Sequence, residues 1–409
     1  MKQKLIIALA IAALGATTTM QAQEVKTIKV CAESKIPKTD APVVISLKDY
    51  GRVTSAKVTY KGIDQPYQLD DTDGDGNYDE LCFLTDFEKK EKRLFEIELY
   101  SNGAPKKFEP RVFAEIVQRN SKVSEKNKHN IYLNSISFER GINSYSLVHH
   151  HGVAFESELI CARIYFDHRQ AVDLYGKKHK RLELKDTQFY PSAQQLAEGY
   201  GDDVLWVGKS VGLGAMWAWD GEKGISLEDV DHRTQKIIAN GPLRTIVEIE
   251  DYNWRPTPSS EQITMKTRYT VYAGHRDIFT DIKFSRPAAG YEFLTGLVNV
   301  NGSTEFSDHK GLRGCWGSAW AVGGKDTLTH KKETVGLGIY IPSKYNKTEK
   351  AANADNYPFI IATDDDQIHY RMTYTSDNED FGYHSAKDWF DYLKKWRKEI
   401  ENETTITIE

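Results

Sequence analysis

Along most of the chain, short runs rich in Val, Ile, Tyr, Phe and Thr alternate apolar with polar positions, and Gly, Asn, Asp and Pro punctuate them. Period-two alternation sends successive side chains to opposite faces of a strand. KVTYKGIDQPYQLDD, RLFEIELYSNG, RTIVEIEDYNW and TVGLGIYIPSKY therefore read as half-buried strands. In ITMKTRYTVYAGHRDIFTDIKF two such strands flank Ala273-Gly274-His275-Arg276, a short hairpin connection. Helical periodicity is rare and clearest near the C-terminus, in AKDWFDYLKKWRKEIENE behind the capping residue Ser385. Trp389, Tyr392, Leu393 and Trp396 fall on one side of that helix, which predicts that it docks on a sheet. Long antiparallel hairpins in such number suit two large packed sheets. The expected fold is mainly β: a small N-terminal β unit over 23–117, then a large antiparallel two-sheet domain over 118–409 with the docked helix. The polar stretch Gln118–Asn130 marks the division.

The beginning of the chain breaks this pattern. Lys2 and Lys4 precede an apolar run from Leu5 to Leu14 and a small-residue region ending near Ala22, the layout of a secretory signal peptide over 1–22. The run is too short to span a bilayer, and no later stretch of about 18 apolar residues exists. A periplasmic location without membrane insertion is expected. A net charge of −5 argues against nucleic acid as a partner. Export permits disulfides, yet Cys31, Cys82, Cys161 and Cys315 show no paired spacing, and buried thiols are the expected state.

The densest chemistry lies in LVHHHGVAFESELICARIYFD, Leu147–Asp167. Read as one unbroken strand, it sets His149, His151, Arg163 and Tyr165 on one face and His150, Glu156 and Glu158 on the other. His149, His151 and Glu156 also satisfy the HxH-x4-E spacing of a cupin metal site, but the flanking glycines are misplaced and no second cupin half follows. An acid/base site asks for less: a histidine titrating near neutrality, a tyrosine, and an arginine fork suited to a carboxylate. The bland alternative is a polar sheet face. Downstream, Lys177, Tyr190, Asp202, Asp203 and Arg233 are further polar candidates. Glu156, Glu158, Asp202 and Asp203 include enough carboxylates for a glycosidase pair, at a separation the sequence does not give. GKSVGLG lacks the ending of a phosphate loop, and no GxSxG elbow occurs.

LDDTDGDGNYDE places Asp71, Asp73 and Asp75 at alternate positions with Gly76 next, the opening of a calcium loop. Cys82 occupies the position where the loop needs its last acid, so Asp79 or Glu80 would have to serve. A solvated Asp/Gly turn needs no metal at all. A structural calcium held by Asp71, Asp73, Asp75 and Asp79 is one expectation, with no cofactor needed for catalysis.

HHHGVAFESELICARIYFDHRQAVDLYGK, GYGDDVLWVGKSVGLGAMWAW, GPLRTIVEIEDYNW and the LDDTDGDGNYDEL turn together resemble a family of exported Bacteroidota proteins from polysaccharide-degradation loci. That family includes or lies close to an oligosaccharide dehydratase of ulvan breakdown. The resemblance covers most of the chain after residue 22 and implies a mutarotase-like supersandwich acting on uronate-containing oligosaccharides, an anionic substrate. His151, Glu156, Arg163, Tyr165 and Lys177 are the positions that match. Eliminating water then assigns His151 as base, Tyr190 as acid in preference to Tyr165, and Arg163 as carboxylate clamp. His149, Glu156, Tyr165, Lys177, Asp202 and Arg233 are expected around the substrate. A glycoside hydrolase on the same material and a non-catalytic glycan-binding protein are the competing readings.

Overall fold

The computed structural model describes residues 25–119, 122, 130–300, 302–321 and 331–409; the expected signal peptide lies outside them. The chain is mainly β, as its alternation predicts, and every named strand pairing is antiparallel. A nine-stranded sheet forms one layer of the large domain. Its centre holds the long hairpin of Ile263–Tyr272 and Asp277–Phe284, with Thr270 opposite Phe279. Facing it lie a six-stranded and a five-stranded sheet, linked through bridges at Gly212 and Leu213. One continuous core fills the space between the layers, from Ile116, Phe155 and Leu174 on one side to Tyr269, Leu337 and Tyr370 on the other.

The N-terminal unit packs a five-stranded sheet on a three-stranded one around Val30, Phe83, Phe95 and Ile97. Its outer edge is closed by the end of the chain, since Thr405–Ile408 pairs with Val25–Ser34. The expected division after residue 117 runs through the strand Val112–Arg119, which pairs with Gly152–Ser157 of the large domain. Burial explains this: Ala114, Ile116 and Val117 belong to the interior, whatever the polarity of the stretch that follows. All four cysteines are free thiols, three of them buried.

The C-terminal helix spans Ala386–Glu401, and Ser385 caps it by accepting a hydrogen bond from the Asp388 amide. Trp389, Leu393 and Trp396 are buried. Two glycines make the docking possible. A Cβ at Gly338 would lie 2.4 Å from Leu393, and one at Gly336 would lie 2.8 Å from Trp389. The alternating glycines of TVGLGIYIP thus form a flat strip into which the helix settles.

The six-stranded sheet runs, in spatial order, Asp202–Asp203, Val172–Gly176, Cys161–Tyr165, Gly152–Ser157, Val112–Arg119 and Asn130–Leu133. One face sends Val153, Phe155, Ile164 and Leu174 into the core. The opposite face carries the chemistry.

Candidate functional site

The stretch Leu147–Asp167 is not one strand. His149–His151 form a short 3-10 turn, and Ser157 to Ile160 close a hairpin between Gly152–Ser157 and Cys161–Tyr165. Glu156 sits opposite Cys161, and Ala154 opposite Arg163. Chain reversal therefore brings Glu156, Arg163 and Tyr165 to the same face, where an unbroken strand would have separated them. Glu115, Ala154, Arg163 and Asp173 form one cross-strand row of that face, and Phe113, Glu156, Cys161, Tyr175 and Asp203 form the next.

At the centre lies Arg163, only 3% exposed. Its Nε and Nη2 bond Asp173 at 3.0 and 2.6 Å, Nη2 also reaches Asp203 at 3.0 Å and Tyr165 at 3.2 Å, and Nη1 donates to the Tyr190 hydroxyl at 2.9 Å. The guanidinium is committed to the protein. Arg163 is thus a framework cation, and the expected role as carboxylate clamp does not fit a fork already filled by two aspartates. Tyr165 is likewise buried, donating its hydroxyl to Asp173 at 2.9 Å. Tyr190, 39% exposed, presents its phenol where solvent reaches it. Burial raises that phenol above its usual value while Arg163 pulls the other way, so it stays protonated at neutral pH. Burial, with Asp173 beside it, pushes Asp203 well above the ordinary carboxylate range against the pull of Arg163.

The three histidines have three environments. His151 is half-buried and stacks on Tyr145 with ring centroids 3.7 Å apart, its Nδ1 lying 2.7 Å from the Tyr145 carbonyl. A carbonyl only accepts, so Nδ1 carries the proton and Nε2 keeps a lone pair. Burial lowers the histidine's pKa, partly offset by that same hydrogen bond. His149 stands edge-on to Tyr190, with centroids 5.9 Å apart. His150 is buried and bonds Glu115 at 3.0 Å. Burial pushes the Glu115 carboxyl up to about 8.

Two pairs of adjacent non-glycine residues adopt left-handed backbone here: His150 (φ 42°) with His151 (φ 71°), and Gln188 (φ 49°) with Phe189 (φ 68°). Each such residue costs on the order of 1 kcal/mol or more and persists only where the surroundings over-determine it. The second pair borders the Arg163 guanidinium, where Phe189 lies under it at 4.2 Å and Tyr190 follows directly, while His151 of the first pair stands edge-on to Tyr165 with centroids 5.9 Å apart.

Glu156 and Lys177 supply the anchor for the second pair. Both are fully buried, 2.5 Å apart. Lys177 also donates to the carbonyls of Ser157 and Arg181, and Glu156 accepts from the amides of Glu183 and Leu184. This knot fixes the start of the short helix Leu184–Thr187 and so positions Phe189 and Tyr190. Expected beside the substrate, both residues instead lie beneath the loop, because an ion pair of this burial has no face left for a ligand. It also removes Glu156 from any HxH-x4-E metal set. Arg233 departs further, buried against Asp251 at 2.6 Å in a separate cluster with Gln170. Asp202 lines a cleft of about 560 Å³ with Asp203, Lys178 and Tyr200. Of the four carboxylates considered for a glycosidase pair, Glu158 is taken by Arg111 and the Gly274 amide, which leaves only the sequence neighbours Asp202 and Asp203 at a cleft.

Sequence reasoning missed Glu115 and Tyr145, and placed His150 only on the strand face opposite Arg163. The signal for Glu115 was a lone carboxylate between apolar neighbours in VFAEIVQR. Away from this site, Asp71, Asp73 and Asp79 bring carboxylate oxygens within 4.8 Å of one another, a hard-oxygen set suited to calcium. Asp75 falls outside the group; it accepts from the amide and side chain of Asn77. The loop's own donors already serve these acids, with Thr72 and Asp73 amides on Asp79 and Gly74 and Gly76 amides on Asp71.

The chain belongs to the family described as a domain of unknown function, DUF4861, whose model matches residues 30–406. No curated protein matches it. Solved structures similar to it include a protein in glycosyl hydrolase family 38 from Enterococcus faecalis, 9% identical with a TM-score of 0.46, covering 94% of this chain and 47% of that one. An alpha-mannosidase from Enterococcus faecalis V583 is 10% identical with a TM-score of 0.47, covering 94% and 46%. The chain spans about half the length of either. No helix among the described residues is long and apolar enough to cross a membrane.

Proposed function

We propose that this DUF4861 protein is an exported carbohydrate-active lyase, a dehydratase that eliminates water from uronate-containing oligosaccharides of the kind released from ulvan or a related polysaccharide. The single observation that carries the reading is the pairing of protonation states. His151 keeps an unprotonated Nε2 because Nδ1–H is spent on the Tyr145 carbonyl, and Tyr190 offers an exposed, protonated phenol held by Arg163. The acid is held by the buried Arg163, and the base stands edge-on to Tyr165, which the same guanidinium contacts.

In this reading His151 Nε2 takes the proton from the carbon next to the carboxylate, the electron pair forms the C=C bond, and the C–O bond to the neighbouring hydroxyl breaks. Tyr190 gives its proton to the departing hydroxyl, which leaves as water. Each proton transfer supplies about 10²–10⁴-fold in rate. Because Arg163 is committed, the charge growing on the carboxylate falls to another cation, and Lys178, which lines the cleft with Asp203, is our candidate. We also propose that Asp71, Asp73 and Asp79 take a calcium ion whose part is structural, remote from this chemistry.

The test is to incubate the protein with oligosaccharides ending in a saturated uronate and weigh the products. Loss of one water, abolished in folded His151→Ala and Tyr190→Phe, supports the proposal. Cleavage with gain of water would make it a hydrolase, and unchanged mass with measurable binding would make it a glycan-binding protein.

A further inference from the structure

A second cavity lies far along the fold from the Tyr190 site, where the N-terminal unit, the Tyr272–Asp277 hairpin and the C-terminal helix meet. Its volume is about 230 Å³, below the roughly 300–1,000 Å³ of drug-sized ligand pockets; that limits an occupant to about one sugar ring or a small organic acid. The inner wall is made by Arg371, whose guanidinium lies over the Phe279 ring at 3.2 Å. Among the described residues its buried Nη1 has no hydrogen-bond partner. Trp396, 2% exposed, is in the same state: its Nε1 sits beside the Asp277 carboxyl without reaching hydrogen-bond geometry. Asp277 is engaged by His275 at 3.0 Å, and His275 Nε2 by the Asp40 carbonyl; Asp277 attracts both Arg371 and Trp396 electrostatically, without a hydrogen bond of full geometry to either orphaned donor. Lys38 enters from the N-terminal unit, 3.5 Å from Thr404 and close enough to Glu399 and Glu403 for their charges to favour its own. Glu399 and Glu403, both exposed, stand at the rim.

Buried donors without acceptors are costly, and native structures satisfy nearly all of them. Two of them lining one cavity, with a lysine at its side and apolar walls from Phe279, Pro42 and Ile400, describe a receptor for an acceptor-rich anionic group attached to a small body. The rim acids need the opposite, hydroxyl or ammonium donors on the rest of the ligand. We propose that this cavity binds a small organic carboxylate carrying such donors, its carboxylate on Arg371 and Trp396 and its hydroxyl or amino groups toward Glu399 and Glu403. A uronic acid and an amino acid share that chemistry.

The experiment uses the whole protein labelled with 15N-tryptophan, following the Trp396 indole resonance assigned through Trp396→Phe. Glucuronate and glutamate are titrated separately, with glucose and inorganic sulfate as controls. A saturable shift with glucuronate, with glutamate or with both supports the proposal and identifies the source, provided Arg371→Met and, independently, the half-exposed Lys38→Met weaken it by about tenfold or more, the size of a lost charge-assisted hydrogen bond. A resonance unmoved by either carboxylate, moved equally by glucose, or moved only by sulfate overturns it. Because the reporter is local to this cavity, the result stands apart from whether the Tyr190 site is catalytic.

Discussion

Arg163 donates to the Tyr190 hydroxyl at 2.9 Å while two aspartates hold its other nitrogens. The pair joins a buried cation to a partly exposed tyrosine, so the interior of the sheet face sets the position of a side chain open to solvent. Arg163→Met takes the compensating cation from buried Asp173 and Asp203 and should lower the unfolding free energy by about 3–5 kcal/mol, read from denaturant titration. A clamp would behave differently, raising KM with little change in stability.

The two tyrosines on that guanidinium separate by burial. Tyr190→Phe should reduce dehydration by about 10²–10⁴-fold, at a cost of about 1–3 kcal/mol of stability because Arg163 Nη1 loses its acceptor. Tyr165→Phe removes a buried donor from Asp173 and should cost about 1–3 kcal/mol of stability. Paired melting curves and product mass spectra distinguish them.

His151 titrates below its ordinary 6.5 because burial disfavours the imidazolium. As a base it works only when neutral, so kcat/KM should rise with pH through a value below 6.5 and then level. Tyr145→Ala would uncover the ring and move that limb upward toward the ordinary histidine value. A limb that stays put would assign it to another group.

Glu115 gives the fold a pH dependence of its own. Its carboxyl titrates at about 8 when folded against 4.5 ordinarily. Between those values the folded state holds a proton that the unfolded chain has released. Its contribution is therefore fully present below about 4.5 and declines as pH rises toward about 8. Urea midpoints measured across this window should fall with pH in the wild type and flatten in Glu115→Gln.

At the acidic turn, calcium added to chelator-treated protein should raise the melting temperature, and Asp71→Asn or Asp79→Asn should erase that gain. Asp75→Asn should preserve it, because Asp75 stands outside the cluster. Specific activity per folded molecule should be the same with and without the ion.

The sequence by itself determined the class of fold and its clearest elements. Alternation and turn chemistry are local, so they disclosed the Ile263–Phe284 hairpin and the capped helix whose Trp389, Leu393 and Trp396 are buried. It also offered Tyr190 and His151 as candidates, since both lie in segments dense with polar and aromatic residues. Only the tertiary structure decided what the charged residues do. Whether an arginine meets substrate or two aspartates depends on which strands lie beside it, and the hairpin at Ser157–Ile160 turned Glu156 and Arg163 to one face where unbroken alternation had parted them. Glu156 and Lys177 likewise became the buried anchor of the Tyr190 loop through contacts 21 residues apart. Electrostatic roles are properties of burial and of partners distant in sequence, and no window of the sequence contains them.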